Sequence, residues 1–393
     1  MTYSDLNILK LKIDSIAVFR GLLDDAVMSS LYNYLNNPTV SGYSKFVANL
    51  YKANKGNLGK HINDICENDE NVYVKAVGNG ESVPEYLREC VQNELQILQS
   101  ITELSAKELR QPLEWNESLP DFCSDNINIA ENYTYRTKNI GKYGYGLYAK
   151  HSMFYVDDMG SIVPVNNPDP TRLSDLVDYK REQQIIIDNT RALLDGKPAA
   201  NILLTGDAGT GKSSTIKAVT NELFSEGLRI IEMSKDKLSV IPKILNDLSD
   251  NPLKFIIFID DLSFLKDDDN FNALKAVLEG SVSAKSKNVV IYATSNRRHI
   301  IKESFSDRGD DDVHRNETLQ EIVSLSERFG IHITFQKPNK DTFLRIVYGL
   351  AEANGINMPK EELAAQAERM ALERGGRSAR LARQYIDFLL SAK

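Results

Sequence analysis

The sequence predicts an α/β protein: a doubly wound parallel sheet of five strands, preceded by a mainly helical region and followed by an all-helical one. Three observations carry this. Short apolar runs alternate with helix-period segments between Tyr179 and Phe335. The first run, Asn201–Leu204, feeds the glycine-rich stretch GDAGTGKS and then a helical segment. The third run, Phe255–Ile259, ends in two carboxylates, Asp260 and Asp261. Runs that are apolar on both faces need covering on both faces, which a parallel sheet between helices provides.

Before the sheet, Leu22–Leu35 has the spacing of an amphipathic helix. Pro84–Arg110 reads as a longer one, with Leu87, Val91, Leu95, Leu98 and Ile101 as its apolar stripe. Ser82 and Glu85 fit a capping box at its start, with Pro84 in the first turn. His151–Val165 reads as a hairpin turning at Asp158–Gly160. The stretch Val163–Thr171 (VPVNNPDPT) marks a boundary, so residues 1–165 form a mainly helical domain ending in a small β hairpin.

After the boundary, Tyr179–Leu194 is helical and stops at Gly196. Strands follow at Asn201–Thr205, Leu228–Met233, Phe255–Asp260, Val289–Thr294 and Ile331–Phe335, within a nucleotide-binding domain at 166–337. From Lys340 the chain is helical, with Phe343, Ile346, Val347 and Leu350 on one face and Leu381, Tyr385, Phe388 and Leu389 on another. Residues 338–393 therefore form a small helical domain.

The stretch Gly206, Asp207, Ala208, Gly209, Thr210, Gly211, Lys212, Ser213, with Ser214 following, matches G-x-x-x-x-G-K-[ST] between a strand and a helix. In that setting the glycines let successive N–H groups face phosphate oxygens, and the helix N-terminus adds its dipole. Lys212 reaches the β- and γ-phosphates, and the Ser213 hydroxyl ligates Mg²⁺. Asp260, delivered by a buried strand beside that loop, is the second Mg²⁺ residue, acting through water. Asp261 stands where a general base would polarise water. The next strand ends in polar residues. Asn296 is the choice to hold the γ-phosphate or the attacking water, with Thr294 in reserve.

From about Pro168 to its end the chain resembles the AAA+ ATPases, and more closely a bacterial AAA+-like ATPase family known only as a domain of unknown function. The residues carrying this are RLSDLVDYKREQQIIIDNTRALLDGKPAANILLTGDAGTGKSS, IYATSNRRH, SLSERFG and GRSARLARQYIDFL. The resemblance implies a P-loop (AAA+-type) sheet with a helical lid, binding ATP and Mg²⁺. It implies that Leu176–Tyr179, Tyr179 included, wrap the adenine base. It implies that Arg328 is an arginine finger reaching a neighbouring subunit's γ-phosphate, which makes the chain a homo-oligomer. Arg380 would be the lid arginine on nucleotide in its own subunit, with Arg377 the alternative. Many AAA+ ATPases carry Asp-Glu where this chain has Asp260-Asp261, a form familiar from DNA-replication initiators and transposition helper ATPases. Ser234–Lys243 lacks the aromatic-apolar-Gly pore loop of protein-threading members, which argues against threading.

Composition narrows the partners. With 393 residues, 26% charged, 42% hydrophobic and a net charge of −8, the chain reads as globular, not as a non-specific duplex binder. Tyr133–His151 interleaves Tyr133, Tyr135, Tyr143, Tyr145 and Tyr148 with Arg136, Lys138, Lys142 and Lys150. Ordinary strand and loop residues are the favoured reading there, over a single-strand nucleic-acid surface. His299 reads as a packing or hydrogen-bonding residue rather than a ligand, and Asp307–Thr318 as a solvated loop. Cys66, Cys90 and Cys123 lack metal or CxxC spacing and read as buried free thiols. Without signal-peptide form or a membrane-length apolar run, the protein reads as cytoplasmic. The functional expectation is an ATPase that drives conformational change in a protein partner or assembly. A nucleotide-switched binding module with little hydrolysis is the rival from another class, and a nucleic-acid remodeller is the third.

Overall fold

The computed structural model describes residues 2–113, 115, 117–262, 269–279, 287–296 and 327–391. His299 and Asp307–Thr318 lie outside them. The chain divides into two compact units, Met1–Lys150 and His151–Lys393.

The first unit is helical throughout its regular elements: α1 (Tyr3–Asp14), α2 (Ala26–Asn36), α3 (Val40–Asn54), α4 (Leu58–Glu67), α5 (Val72–Gly78), α6 (Glu85–Thr102), α7 (Ala106–Arg110), α8 (Ile129–Lys138), α9 (Ile140–Tyr143) and α10 (Leu147–Lys150). Side-chain caps set most of the starts. Thr2, Asp25, Thr39, Asn57, Asn71, Ser105 and Asn128 each accept a bond from the first turn of the helix they precede. Two of these caps divide helices that apolar spacing alone would run together. Asp25, in extended conformation, separates a 3₁₀ turn at Arg20–Asp24 from α2. Ser105 forms a capping box with Glu108 and separates α7 from α6. The Ser82–Glu85 box does not form; Pro84 is the N-cap of α6 and makes no side-chain cap bond.

Buried Phe19, Leu31, Phe46, Leu50, Leu98 and Ile101 centre the core of this unit. The Tyr133–His151 segment is carried mainly on α8 to α10 rather than on strand or loop. Tyr133 packs in the core against Phe19 at 5.1 Å, while the exposed Tyr135 ring meets Tyr143 at 5.9 Å. Arg136 lies over the Tyr143 ring at 4.6 Å and pairs with Glu67 at 3.2 Å. Only Cys66 of the three thiols is buried; Cys90 is half-buried and Cys123 exposed. Burial pushes the Cys66 thiol well up, and a hydrogen bond to Glu94 pushes Cys90 to about 11.

The second unit holds a seven-stranded sheet: β1 (Met153–Val156), β2 (Ile162–Pro164), β3 (Ile202–Gly206), β4 (Leu228–Met233), β5 (Lys254–Ile259), β6 (Val289–Ser295) and β7 (Ile331–Phe335), in the order β2-β1-β4-β5-β6-β3-β7. Every neighbouring pair is parallel except β1 and β2. The five expected strands are present, and the hairpin adds two. The hairpin therefore belongs with the sheet, not with the helical unit, and the division falls at residue 150 rather than 165. The cause is edge pairing. Without β1, β4 would present an unpaired ladder edge, and Met153, Phe154 and Val156 of β1 bury their side chains there.

Helices α11 (Lys180–Leu194), α12 (Lys212–Leu223), α13 (Ile241–Leu248) and α14 (Asp269–Glu279) accompany the strands. The first stops where Gly196 takes φ +70°. Helices α15 (Lys340–Ala353), α16 (Lys360–Glu373) and α17 (Ala379–Ser391) make the lid, with Phe343, Val347, Ala367, Ala382 and Ile386 in its own small core. No helix among the described residues is long and apolar enough to cross a membrane.

One carboxylate in the first unit carries an unusual structural load. Glu94 is 2% exposed, and its oxygens accept the N–H groups of Ala17, Val18 and Phe19 at 2.8 to 3.1 Å. It thereby holds the chain between α1 and the 3₁₀ turn against α6. Replacing it orphans three backbone donors. Glu94→Ala is expected to destabilise the first unit by about 3 kcal/mol. Hydrogen exchange of residues 2–113 in the full chain checks this, and unchanged protection would contradict it.

Candidate nucleotide site

Three strand ends build the cleft. In the order β5-β6-β3 the middle strand carries polar residues between the glycine-rich loop and a pair of acids. Ligands of open parallel sheets sit in this place, outside the carboxyl ends of the strands. The cleft encloses about 520 Å³ and is lined by loop residues, the strand-end acids, the segment before α11, and the lid.

The loop from Gly206 to Gly211 turns in a way few side chains allow. Gly206 has φ +140°, and a Cβ there would stand 2.1 Å from the carbonyl oxygen of Phe335 on β7. Gly209 has φ +77°, and its added Cβ would meet the Cβ of Arg380 at 3.1 Å. The loop ends at Gly211, the N-cap of α12, and no side chain caps that helix. Its first N–H groups are thus left for an anion, where the helix dipole is positive.

Lys212 is 5% exposed. Its ammonium donates to the carbonyls of Gly206 and Asp207, at 2.8 and 2.9 Å, and to Asn296 Oδ1 at 3.0 Å. Burial pulls its pKa below the usual 10.5, with Arg380 adding to that, while Asp260, Asp261 and Asp207 oppose it. Ser213 Oγ donates to Asp260 Oδ1 at 2.7 Å. Asn296 Nδ2 donates to Asp261 Oδ1 at 2.7 Å. The loop, both acids and the strand-end amide are therefore one connected network. A hydroxyl and a carboxylate side by side are hard oxygen donors of the kind Mg²⁺ takes, so Ser213 and Asp260 suit that ion.

The segment before α11 and the lid close the cleft from the other side. Leu176, Val177 and Tyr179 line it together with Ile346 and Leu350 of α15, an apolar slot suited to a flat base. Tyr179 takes the left-handed conformation, φ +65°. Its ring lies 5.1 Å from Phe335 and its hydroxyl donates to the Gln336 carbonyl at 2.7 Å. Burial pushes that phenol up to about 12. At the start of α17 the Arg380 N–H donates to the Gly209 carbonyl at 3.1 Å, which ties the lid to the loop by backbone.

Lys212, Ser213, Ser214, Asp260, Asp261, Asn296, Tyr179 and Arg380 all line the one cleft. Arg377 does not; it makes a two-bond pair with Glu368, at 2.8 and 2.6 Å. That pairing holds the Glu368 carboxyl low. Arg328 also lies outside the cleft, just before β7, where it pairs with Glu279 at the end of α14. Arg383 joins the lining without having been singled out from sequence. Its place three residues after Arg380, on the same helix face, was the available signal.

Residues 149–393 match a family described as "Protein of unknown function (DUF815)", and the chain belongs to that family. None of the curated proteins matches it. Among solved structures it is similar to a mutant of Thermotoga maritima RuvB, with 13% identity and a TM-score of 0.38. The match covers 56% of this chain and 64% of that one, so this chain spans less than two thirds of that protein's length.

Two expectations follow from the geometry. Arg380→Ala weakens nucleotide triphosphate binding about tenfold, or ~1.4 kcal/mol, while Arg377→Ala leaves it within about twofold and loosens the lid. Equal effects in a calorimetric titration would contradict this. The second concerns protonation. Because the folded pKa of Lys212 is depressed, the free protein sheds its ammonium proton earlier than the unfolded chain, so stability rises with pH in the window just below 10.5. An anion favours the charged form, so triphosphate binding in that window takes up a proton. Titrations in buffers of different ionisation enthalpy read this, and Lys212→Met abolishes it.

Proposed function

We propose that this DUF815-family chain is an AAA+-type ATPase, in which the energy of ATP binding and hydrolysis changes the conformation of a protein partner or assembly. The observation that supports it best is the convergence of Lys212, Ser213, Asp260, Asp261, Asn296 and Arg380 on one cleft with an apolar slot at its far side. The chemistry those residues suit is attack of water on the γ-phosphorus of ATP.

In this reading Lys212 and the loop N–H groups bind the phosphate oxygens and neutralise charge that builds on them. Ser213 and Asp260 hold Mg²⁺, which when bound supplies further positive charge beside the phosphates. Asp261 orients the attacking water and accepts its proton. Asn296, already bonded to both Lys212 and Asp261, aligns the base with the phosphate. Arg380 reads the phosphates from the lid. Its backbone bond to Gly209 gives the loop a direct way to move α17.

Arg328 is proposed to act in trans, on the nucleotide of a neighbouring copy, which makes the active form a homo-oligomer. Its bond to Glu279 holds it outside its own chain's cleft. A slower switch, with ATP holding an assembly together, is the second reading. It draws on the tie between the Asp261 carboxylate and Asn296, which competes with the base's hold on water.

Phosphate release from the full chain tests the proposal. Turnover well above that of Lys212→Ala supports hydrolysis. Tight ATP binding with no release above that control favours the switch, and absence of binding overturns both. For the finger, Arg328→Ala is expected to retain ATP binding and lose at least about a hundredfold in turnover. Activity regained on mixing Arg328→Ala with Lys212→Ala would place the arginine in trans, and unchanged turnover in Arg328→Ala alone would reject the role.

A further inference from the structure

We propose that Thr294 is a positioning residue for the acidic pair, its buried hydroxyl fixing the Asp260 carboxylate beside Ser213 and supporting Asp261 in a left-handed backbone turn. This deepens the nucleotide-site reading above and rests on it.

Thr294 is 2% exposed and lies on the central part of the site, one residue before the end of β6. A hydroxyl has one proton to give and lone pairs to accept with. Thr294 Oγ1 uses both. It donates to Asp260 Oδ1 at 2.5 Å and accepts the Asp261 N–H at 3.0 Å. Its own carbonyl accepts the Leu262 N–H at 2.7 Å, so β6 guides the chain past the end of β5 as well. One threonine thus holds three successive residues of the acidic turn.

Those residues need holding. Asp260 and Asp261 are both exposed, and an exposed carboxylate at a strand end is free to change rotamer. Asp260 Oδ1 instead collects three donors: Ser213 Oγ at 2.7 Å, Thr294 Oγ1, and the Asp261 N–H at 3.1 Å. Among the described residues no donor is bonded to Oδ2, which leaves one oxygen oriented and one available for a cation's shell. Asp261 has φ +53°, a conformation unfavourable for a residue with a Cβ. It persists here because its N–H is bonded to Thr294 and its carboxylate to Asn296. Valine would fill the same space and make neither hydroxyl bond.

The test compares full-length wild type, Thr294→Val and Thr294→Ser, using a fluorescent ATP analogue with MgCl₂ or with EDTA, together with phosphate release. In EDTA, Thr294→Val is expected to bind within about twofold of wild type, since the loop is untouched. The tightening that Mg²⁺ brings is expected to fall roughly 10–100-fold, the usual loss when a residue orienting a metal ligand is removed, and kcat to fall with it while KM moves less. Thr294→Ser, which keeps the hydroxyl, is expected to restore both. A Thr294→Val protein with the wild-type Mg²⁺ response overturns the proposal. Should the valine variant not fold, a Thr294→Ser protein lacking the Mg²⁺ response overturns it equally. Wild type that binds no nucleotide, with or without Mg²⁺, removes the nucleotide reading itself, an outcome distinct from either.

Discussion

A lysine ammonium enclosed at the mouth of a parallel sheet is the constraint around which this cleft is arranged. Burying such a charge is costly unless hydrogen-bond acceptors surround it. Here two loop carbonyls and the Asn296 side chain take its three protons, so the acceptors come from two separate parts of the fold. The carbonyls face inward only because glycine permits the loop to turn against β7. Asn296 reaches Lys212 only because β6 lies between β3 and β5. The strand order, the glycines and the polar strand end are therefore mutually required.

The same enclosure explains why the site is a network and not a set of separate groups. Asn296 spans the lysine and Asp261; Ser213 and Thr294 converge on one oxygen of Asp260. A ligand that draws Lys212 toward its own oxygens alters the bond to Asn296, and through it the surroundings of Asp261. On the opposite side the Gly209 carbonyl is bonded to the first turn of α17. The loop is thus joined by hydrogen bonds both to the acids and to the lid, and the proposed coupling of ligand state to lid position would run through those bonds.

What could be read from sequence was whatever chemistry is contiguous or whatever burial is two-sided. The loop Gly206–Ser213 and the acids at 260 and 261 are adjacent in the chain, and their strands are apolar on both faces, so both the motif and the sheet were legible. The β1–β4 pairing joins segments far apart in the chain, and nothing local in Met153–Val156 announces it. Helix breaks at Asp25 and Ser105 arise from a few side-chain cap bonds within otherwise continuous apolar periodicity. Arg377 and Arg380 are indistinguishable by composition. Arg380 faces the cleft from the first turn of α17, whereas Arg377 precedes that helix and is paired with Glu368. Thr294 carried a polar signal, but its task depends on the φ of Asp261, which no spacing encodes.

For the coupling to hold, one ligand must engage the loop and the lid together. Hydrogen–deuterium exchange of the full chain, with and without a non-hydrolysable ATP analogue and Mg²⁺, measures this directly. The predicted result is added protection at 206–214 and, in the same sample, at 378–383 and 176–180. Protection absent from the loop, or confined to a segment outside the cleft, would contradict it.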